Sequence, residues 1–455
     1  MDSYDVIIVG GGMVGGSLGC ALGDLGFRVA VIEAREPVTD WPPDSVDART
    51  SALTRASEHI LRNLGVWGRI ERMRASPYRE MHVWDAEGFG EIHFDSAEIG
   101  EPDLGHIVEN RVIQKALWAR LGEIPSVTRL CPASVTSVDL TGPQPRLTVA
   151  DRGRGDAPAA SPNVESAPAG APPAARSAAP GGGTGALPLP PEEGGGGGES
   201  TSGRWLTASL IVAADGAQSR VRAMAGLGTR GWAYDQHAVV AIVAPARHHG
   251  ATAWQHFLPT GPIALLPIND GRCNVVWSTS PEQAAELKAM TDAEFRRAVE
   301  GATQSRLGAI RETGPREVFP LRLQHAEQYV EEGLALVGDA AHAIHPLAGQ
   351  GVNLGLLDAA ALADVLAEAR YRGRPLGSLK TLRRYERARK GANLAMMGAM
   401  DAFKRLFSND NAALYFARNL GMKATELAAP VKHAIMRRAL GVSGQRPSLA
   451  RRQSL

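Results

Sequence analysis

Cysteine is scarce in this sequence of 455 residues, which also lacks a long apolar run and an excess of one charge. The three cysteines (Cys20, Cys131 and Cys273) are too few and too scattered for a disulfide framework or a CxxC motif, which favours a reducing compartment. No stretch of about 18 uncharged apolar residues is present, so we expect no membrane-spanning helix. Lys and Arg total 49 against 48 Asp and Glu, and this balance gives no argument for nucleic acid as a partner. The N-terminus lacks the features of a signal peptide, and the expected location is the cytoplasm.

Glycine and proline are concentrated in one segment. Of the 53 residues at 151–203, 13 are Gly and 9 are Pro, and branched or aromatic residues are almost absent. Such a composition cannot offset its ordering entropy by burying apolar surface. Strand-like runs at 146–150 and 205–212 flank the segment. We therefore predict a disordered insert in a hairpin loop, and expect deletion of residues 153–202 to leave folding intact.

The first 33 residues have the pattern of a βαβ unit. Residues 4–9 are an apolar, β-branched run, and after a glycine turn and a helical pattern residues 28–32 are another. Gly10, Gly12 and Gly15 fit G-x-G-x-x-G, whose glycines permit a tight turn, close approach of a pyrophosphate and close helix packing. Glu33 follows the second run, where a carboxylate can accept from a ribose hydroxyl. The unit predicts a parallel sheet that binds NAD or FAD.

Two later segments carry an aspartate beside a glycine just after a strand. Residues 210–222 run from a strand into Asp215 and Gly216, and residues 334–355 run through Asp339 into a glycine turn and a long helix. In this order and spacing, the three segments resemble the group A FAD-dependent aromatic monooxygenases, in particular the ubiquinone-biosynthesis hydroxylases. The resemblance covers nearly the whole chain apart from the insert. The runs that look most like the bacterial 2-octaprenylphenol C5 hydroxylase are residues 81–85, 89–92, 105–110 and 319–321.

The resemblance implies an α/β protein with an α+β second domain, in the fold of para-hydroxybenzoate hydroxylase. A Rossmann-type FAD domain is then interleaved with a substrate domain built on an antiparallel sheet. The expected division is 1–75, 106–150, 204–230 and 321–370 for the FAD-binding domain, 76–105 and 231–320 for the substrate domain, 151–203 for the insert and 371–455 for a C-terminal helical region.

The resemblance also implies which residues hold FAD. Asp339 is expected to bond a ribityl hydroxyl, while Asp215 and Gly216 support FAD and a nicotinamide donor. Further positions expected to hold FAD phosphate and ribityl groups are Arg49, Arg111 and Gln114. A structural ion pair is the alternative role for either arginine.

The glycine turn before the long helix is expected to lie beside the flavin. Pro346 is expected to pack against the ring face, and Gly349 belongs to the turn. Backbone N–H groups near Gly351, Val352 and Asn353 are expected to stabilise negative charge on flavin N1 and O2, because a helix N-terminus attracts anions.

The reaction implied by the resemblance is hydroxylation of the aromatic ring of a 2-polyprenylphenol-type intermediate in ubiquinone biosynthesis. It would use O₂ through a C4a-hydroperoxyflavin, with NAD(P)H or a partner protein as electron donor. No catalytic side chain or general base can be assigned from the residues. Trp254, Phe257 and Leu265 are candidate wall residues for the substrate, with plain core as the alternative. His342 and His345 lie three residues apart, but no third ligand has metal-site spacing, so no metal is expected.

Other functions and partners stay open at this level. Another phenol hydroxylase or a prenyl reductase of the same superfamily would keep FAD and change the reaction, and a non-catalytic flavin-binding scaffold would keep FAD without a reaction. A complex of ubiquinone-biosynthesis proteins is a further expected partner. The basic C-terminus is either a solvated tail or a contact for anionic lipid headgroups, which would place the protein peripherally on the inner membrane; its arginines are Arg437, Arg438, Arg446, Arg451 and Arg452.

Overall fold

Two large β-sheets, a small third sheet and eleven α-helices make up the part of the chain that this computed structural model describes, residues 2–86, 88, 90–151, 203–343, 350–407 and 412–452. In chain order, the strands are β1 (Asp2–Val9), β2 (Val29–Ile32), β3 (Thr50–Leu53), β4 (Ser76–Tyr78), β5 (Glu80–Asp85), β6 (Glu91–Asp95), β7 (Gly105–Glu109), β8 (Val127–Leu130), β9 (Ala133–Asp139), β10 (Arg146–Asp151), β11 (Arg204–Ala213), β12 (Thr229–Pro245), β13 (Thr252–Leu258), β14 (Gly261–Pro267), β15 (Cys273–Thr279), β16 (Ile310–Thr313), β17 (Glu317–Ala326), β18 (Val330–Glu331), β19 (Leu334–Leu336) and β20 (His342–Ala343). The helices are α1 (Met13–Asp24), α2 (Arg55–Asn63), α3 (Trp67–Met73), α4 (Asn110–Glu123), α5 (Arg220–Met224), α6 (Pro281–Ala289), α7 (Asp292–Ala302), α8 (Gln350–Tyr371), α9 (Leu379–Phe407), α10 (Ala412–Leu427) and α11 (Ala429–Ala439).

The first sheet is mainly parallel and contains the βαβ unit. Its strands lie in the order β18-β19-β11-β1-β2-β8, and β1 pairs in parallel with both β2 and β11. Successive side chains of a strand point to opposite faces. Ile7 and Ile8 are neighbours on β1 and both are fully buried, so both faces of the sheet are covered. This is why the strand is an unbroken apolar run in the sequence.

The predicted hairpin around the insert is confirmed. β10 and β11 pair antiparallel, with Val149 opposite Arg204, and β10 also pairs with β9. The predicted insert lies, except for its ends, at residues 152–202, outside the described residues, and so do Pro346, Gly349 and His345.

The second sheet is built mainly from antiparallel pairs, as expected for the substrate domain. Its strands lie in the order β20-β17-β12-β15-β14-β13-β5-β6, with β16 beside β12 and one parallel pair, β13 with β5. On β14, Ile263 and Leu265 are buried in a core with Phe295 and Val299 of α7. The alternate side chains of β14 point to the other face of the sheet. The domain boundaries expected from the sequence stay a prediction.

A small antiparallel sheet, β3-β7-β4, and the C-terminal helices complete the described fold. α9 packs along α8, and α10 lies against β6. Among the described residues, no helix combines the length and the apolar character that crossing a membrane requires.

Candidate functional site

In the turn after β1, the surrounding atoms require glycine at two positions. Gly10 has a φ of +105°, and a Cβ there would lie 2.3 Å from the carbonyl oxygen of Ala214. A Cβ on Gly15 would lie 1.9 Å from the carbonyl oxygen of Gly10, so α1 reaches the turn only with glycine at this position. A Cβ on Gly12 would meet no atom within 4 Å. Gly12 is therefore the position at which the backbone is open to a ligand.

A cavity of about 290 Å³ lies at the carboxyl ends of the parallel strands. Gly10, Gly12 and Glu33 line it, together with Ser134 and Arg220. Glu33 Oε2 accepts from the backbone N–H of Gly11 at 2.7 Å. The carboxylate thus fixes the glycine turn and also faces the space where a ribose is expected in such folds.

Asp215 begins a short segment whose residues line this cavity and a second one. Its Oδ2 accepts from the backbone N–H groups of Arg220 and Val221, at 2.8 and 3.2 Å. Its Oδ1 is buried and has no hydrogen-bond partner among the residues that the structure describes. Asp215 lines the smaller cavity, and Ala217 and Gln218, two and three residues further on, line the larger one.

Asp339 lies in a short turn just after β19 and lines the larger cavity. The preceding Gly338 has a φ of +59°. The protein around the Asp339 carboxyl displaces bulk water, and this desolvation raises its pKa above the ordinary value, against the opposing charge of His342. The guanidinium of Arg222 donates to the carbonyls of Ala340, at 2.8 Å, and Ala217, at 2.9 Å, and so ties the two aspartate segments together.

A buried polar network lies behind this turn. Asp358 of α8 accepts from the His342 ring and, at 2.7 Å, from Arg389 Nε of α9. Asn393 donates to Asp358 at 3.1 Å and accepts from Arg389 at 2.9 Å. Burial alone would raise the pKa of Asp358, but His342 and Arg389 lower it to about 2. The network fixes His342, three residues after Asp339.

The sequence-based predictions did not include this network. Asp358 and Arg389 are 31 residues apart and meet only because α8 and α9 pack together. The available signal was a carboxylate, Asp358, with apolar residues on both sides in α8, since a charge in such a run is rarely buried unless it is paired.

The three residues expected to hold phosphate and ribityl groups lie in different surroundings. Arg49 is exposed and lines the larger cavity, 5.8 Å from the centre of the Phe319 ring. Arg111 pairs with Glu109 at 2.6 Å, the structural ion pair that was the alternative. Gln114, on α4, is not among the residues that line the two cavities. Their roles toward a cofactor stay predictions.

Gly351, Val352 and Asn353 lie in the first turn of α8, which begins at Gln350. The role of their backbone N–H groups toward a flavin stays a prediction. The side chain of Asn353 is buried, accepting from Ser57 at 2.6 Å and donating to the carbonyl of Ala52 at 2.8 Å. It therefore anchors the start of α8 to neighbouring elements.

The larger cavity, of about 560 Å³, lies between Asp339 and the second sheet. Its floor is the face of that sheet opposite the α7 core, and consists mainly of small apolar side chains: Ala238, Val240, Ala253, Pro262, Ala264, Leu266 and Val276. Gln255, Ser278 and Gln324 are polar residues of this sheet that line the cavity. Further positions on the rim include Tyr78, Met81, Ile107, Phe319 and Arg322.

The prediction that Trp254, Phe257 and Leu265 line the substrate site is wrong, and the alternative, plain core, holds. Trp254 and Leu265 pack on the opposite face of the sheet, in the core with α7, and Phe257 packs against Val83 and Met422. Alternation along a strand places Gln255, beside Trp254, and Ala264, beside Leu265, at the cavity. Phe257 shares the face of Gln255 but lies further along β13, under a different cluster.

The site fits the expected FAD. A glycine turn open at Gly12, a buried unpaired oxygen on Asp215 and a carboxylate at Asp339 line two cavities that adjoin through residues 215–218. Free donors and acceptors of this kind suit phosphate and polyol hydroxyls.

The family model described as FAD binding domain matches residues 3–150 and 197–400. The chain is 38% identical to 3-demethoxyubiquinol 3-hydroxylase of Escherichia coli K12 over 438 residues, 96% of this chain and 98% of the relative. It is 36% identical over 473 residues to ubiquinone biosynthesis monooxygenase COQ6 of Xenopus tropicalis, 95% of this chain and 92% of the relative.

Solved structures share the fold at lower identity. p-Nitrophenol 4-monooxygenase PnpA of Pseudomonas putida DLL-E4 gives a TM-score of 0.70 at 19% identity, covering 97% of this chain and 99% of its own. OxyS anhydrotetracycline hydroxylase of Streptomyces rimosus gives 0.66 at 18% identity, covering 98% and 77%. The predicted para-hydroxybenzoate hydroxylase-like fold is confirmed.

Proposed function

We propose a function from one premise: the chain belongs to the FAD binding domain family, and within it to the FAD-dependent monooxygenases related to ubiquinone hydroxylases. Its cofactor is FAD. We propose that it hydroxylates the aromatic ring of a polyprenylated phenol-type intermediate in ubiquinone biosynthesis. The observation that carries this proposal is the 560 Å³ cavity between Asp339 and a mainly apolar floor that holds a few polar side chains.

The two cavities bind different parts of FAD. The smaller one, at Gly12 and Glu33, takes the adenosine and pyrophosphate, and Asp339 holds the ribityl chain at the larger one. The unpaired Oδ1 of Asp215 accepts from the cofactor where the cavities meet. When bound and reduced, FAD supplies the activation of O₂, and the protein has to orient the ring and keep water out.

Gln255 is the residue that we propose to orient the substrate ring. Its side chain is only 8% exposed, and cross-strand pairing places Ala264 beside it and Val276 next in the same row. An amide among apolar neighbours can donate to or accept from a phenol hydroxyl. The small side chains around it exclude water and leave room for a substituted ring.

An apolar path leads from the cavity toward the C-terminal helices, and we propose that the prenyl tail follows it. Tyr78 and Met81 line the cavity and also pack against Leu104, Met436 and Leu440. A tail that leaves the cavity beside Met81 therefore meets apolar contacts up to α11.

We further propose that this end of the molecule rests peripherally on an anionic bilayer. On α10 and α11, Leu427 is 78% exposed and Val431 is 52% exposed, and Arg437 and Arg438 end α11. Apolar side chains beside basic ones are typical of helices that lie in a membrane interface. A location on the inner membrane would bring the enzyme to a prenylated substrate.

The reaction is tested with purified FAD-loaded enzyme, NADH or NADPH and ¹⁸O₂. Short-chain analogues of 2-polyprenylphenol and of demethoxyubiquinol are compared, because the E. coli relative is named for the latter. We expect one ¹⁸O atom in the ring of one analogue. Consumption of O₂ with only peroxide as product, for both analogues and with a reduced protein donor as well, would refute the proposal.

Lipid extracts from cells that lack the protein identify the natural substrate. We expect an accumulated polyprenylphenol that lacks one ring oxygen, together with depleted ubiquinone. The position of the missing oxygen names the hydroxylated carbon. A normal ubiquinone profile in these cells would count against a role in this biosynthesis.

The membrane contact is tested by sedimentation with phosphatidylglycerol vesicles and with phosphatidylcholine vesicles. We expect binding to the anionic vesicles and a loss of binding when Leu427 and Val431 are both changed to Asp. Tyr371→Asp, at an apolar residue that is 91% exposed at the end of α8, is the matched control and should bind as before. Equal sedimentation of all variants would contradict this contact.

A further inference from the structure

A second group of chemically active side chains lies on the hairpin of β5 and β6, away from the cavities. We propose that Glu80, His82 and His93 form a binding site for a divalent transition-metal ion such as Zn²⁺. One ligand atom of each residue lies within 4.8 Å of those of the other two. Met81, between the first two residues, lines the larger cavity. Its neighbours therefore point to the opposite face of the sheet, and the site is separate from the proposed reaction.

Strand geometry brings the three ligands together. Glu80 and His82 are two residues apart on β5, so they share a face. His93 is the residue directly opposite His82 on β6. The two imidazole rings are stacked, with centroids 4.2 Å apart and planes inclined by 30°. The backbone pairing fixes the Cα positions of the three ligands, so an ion has to order only their side chains, and the two rings have to turn out of the stack to direct their nitrogens at it.

The donor set and its spacing suit Zn²⁺. Two imidazole nitrogens and one carboxylate oxygen are ligands of open zinc sites, in which water completes a tetrahedron. His93 Nε2 and Glu80 Oε2 are 3.0 Å apart. Two ligands that each lie about 2.0 Å from a tetrahedral ion are separated by roughly 3.3 Å. Only a small adjustment is needed to place an ion between them.

Two neighbours hold His82 in orientation. Glu91 Oε1 lies 3.2 Å from His82 Nδ1, which leaves the other ring nitrogen for the ion. A carboxylate in this position is typical of metal-binding histidines, because it fixes the tautomer and the ring plane. Trp254 stacks on His82 at 4.9 Å between ring centroids. The ring is thus held between Trp254 and His93.

A second cluster of possible ligands does not offer such a site. Glu58, Asp103 and His106 also have ligand atoms within 4.8 Å of one another. There, however, Arg55 pairs with both carboxylates, so a cation already occupies the space between them. Glu80, His82 and His93 have side chains that are 40%, 23% and 34% exposed, which gives an ion access from solvent.

Occupation of the site would stiffen the edge on which the C-terminal helices rest. The backbone N–H of His93 donates to Glu426 of α10 at 3.0 Å, and its carbonyl accepts from Lys432 of α11 at 3.0 Å. An ion on the His93 ring therefore holds the strand position to which both helices are attached.

The test is isothermal titration of Zn²⁺ into the FAD-loaded enzyme after removal of metals with EDTA. We expect one ion per chain with a micromolar or tighter Kd. His82→Ala and His93→Ala should each weaken binding at least tenfold, and Glu91→Gln, which changes only the orienting carboxylate, by roughly 10-fold to 100-fold. The matched control is His433→Ala: His433 also lies beside a carboxylate, with Glu98 at 3.2 Å, and its loss should leave the Kd unchanged.

X-ray absorption at the zinc edge gives an independent readout on the same samples. Wild-type enzyme should show outer-shell scattering from two imidazoles, and each histidine variant from at most one. The proposal is overturned if the wild type binds no zinc in the micromolar range. It is equally overturned if His82→Ala and His93→Ala bind as tightly as the wild type, or if the bound ion has only oxygen ligands.

Discussion

Asp339 and Asp358 both interact electrostatically with His342, but their surroundings shift the pKa values of the two carboxyls in opposite directions. Asp358 is fully buried and receives hydrogen bonds from His342, Arg389 and Asn393. Asp339 lines the larger cavity, where desolvation outweighs the charge of His342, and its pKa is raised where that of Asp358 is lowered to about 2. The difference separates a carboxylate that is satisfied within the protein from one that is left available for a ligand.

The largest expected change in stability comes from replacing Asp358, whose hydrogen bonds are all made within the protein. Asp358→Ala leaves Arg389 and His342 buried without their partner, and should lower the free energy of unfolding by about 3–5 kcal/mol. Urea unfolding of the apoprotein measures this change. Asp364→Ala, on the same helix, removes only the bonds to Ser448 and should cost about 1 kcal/mol or less. Similar losses of unfolding free energy for the two variants would mean that the buried network of Asp358 stabilises the fold no more than an exposed hydrogen bond does.

Replacing Asp339, the carboxylate left available for a ligand, should weaken FAD binding without lowering the stability of the fold. Asp339→Ala loses a charge-assisted hydrogen bond worth about 1.5–3 kcal/mol, which weakens FAD binding roughly 10-fold to 100-fold. Quenching of FAD fluorescence on titration with apoprotein gives the Kd, and urea unfolding of the apoprotein is the control. An unchanged Kd, or an apoprotein as unstable as Asp358→Ala, would contradict a role in binding FAD.

The two aspartates should also make stability depend on pH with opposite signs. The folded-state pKa of Asp358 lies below the ordinary value of 3.8, so its stabilisation is present above 3.8 and is lost as the pH falls toward about 2. The folded-state pKa of Asp339 is raised, so the ionised group destabilises the apoprotein at neutral pH, and this penalty disappears as the pH falls.

Asparagine variants of the apoprotein, unfolded in urea from neutral pH downward, separate these signs. Asp358→Asn should be less stable than the wild type at neutral pH, and Asp339→Asn more stable. The Asp339→Asn difference should narrow as the pH falls toward 3.8, and the Asp358→Asn difference should narrow only below 3.8, as the pH falls toward about 2. A change in unfolding free energy of the same sign for both variants at neutral pH would contradict the opposite directions of the two pKa shifts.

The smallest effect is expected at a neutral hydrogen bond beside the network. Tyr385 of α9 donates its hydroxyl to the carbonyl of Leu336 at 2.8 Å, just before the turn that carries Asp339. Tyr385→Phe keeps the ring and should lower the free energy of unfolding by about 1 kcal/mol, with FAD affinity unchanged. A change in FAD affinity as large as that of Asp339→Ala would mean that the two sides of the turn are not independent.

The residues predicted from sequence were those whose chemistry is local. Gly10 and Gly15 are recognisable because a tight turn and a close helix approach act within one βαβ unit. Asp339 is recognisable because a polar residue that ends a buried strand faces the cofactor side of such a sheet. These constraints extend over a few residues, so a sequence pattern records them.

The features that sequence did not predict depend on how distant elements pack. The pairing of Asp358 with Arg389 requires α8 to lie along α9. The cavity floor requires the phase of each strand to be known, and a shift of one residue exchanges Trp254 for Gln255. The resemblance implied an antiparallel sheet in the substrate domain but not which of its faces is covered by α7.

The loop between the paired ends of β10 and β11 can change in length at a small cost in free energy. Val149 lies opposite Arg204, and the family match stops at residue 150 and resumes at 197. Chain inserted there leaves and re-enters at adjacent positions, and each doubling of its length costs only about 0.6 kcal/mol. Evolution can lengthen, shorten or replace this stretch without rebuilding the catalyst. For the engineer it is the position at which to open new termini or to graft a reductase that supplies the electrons.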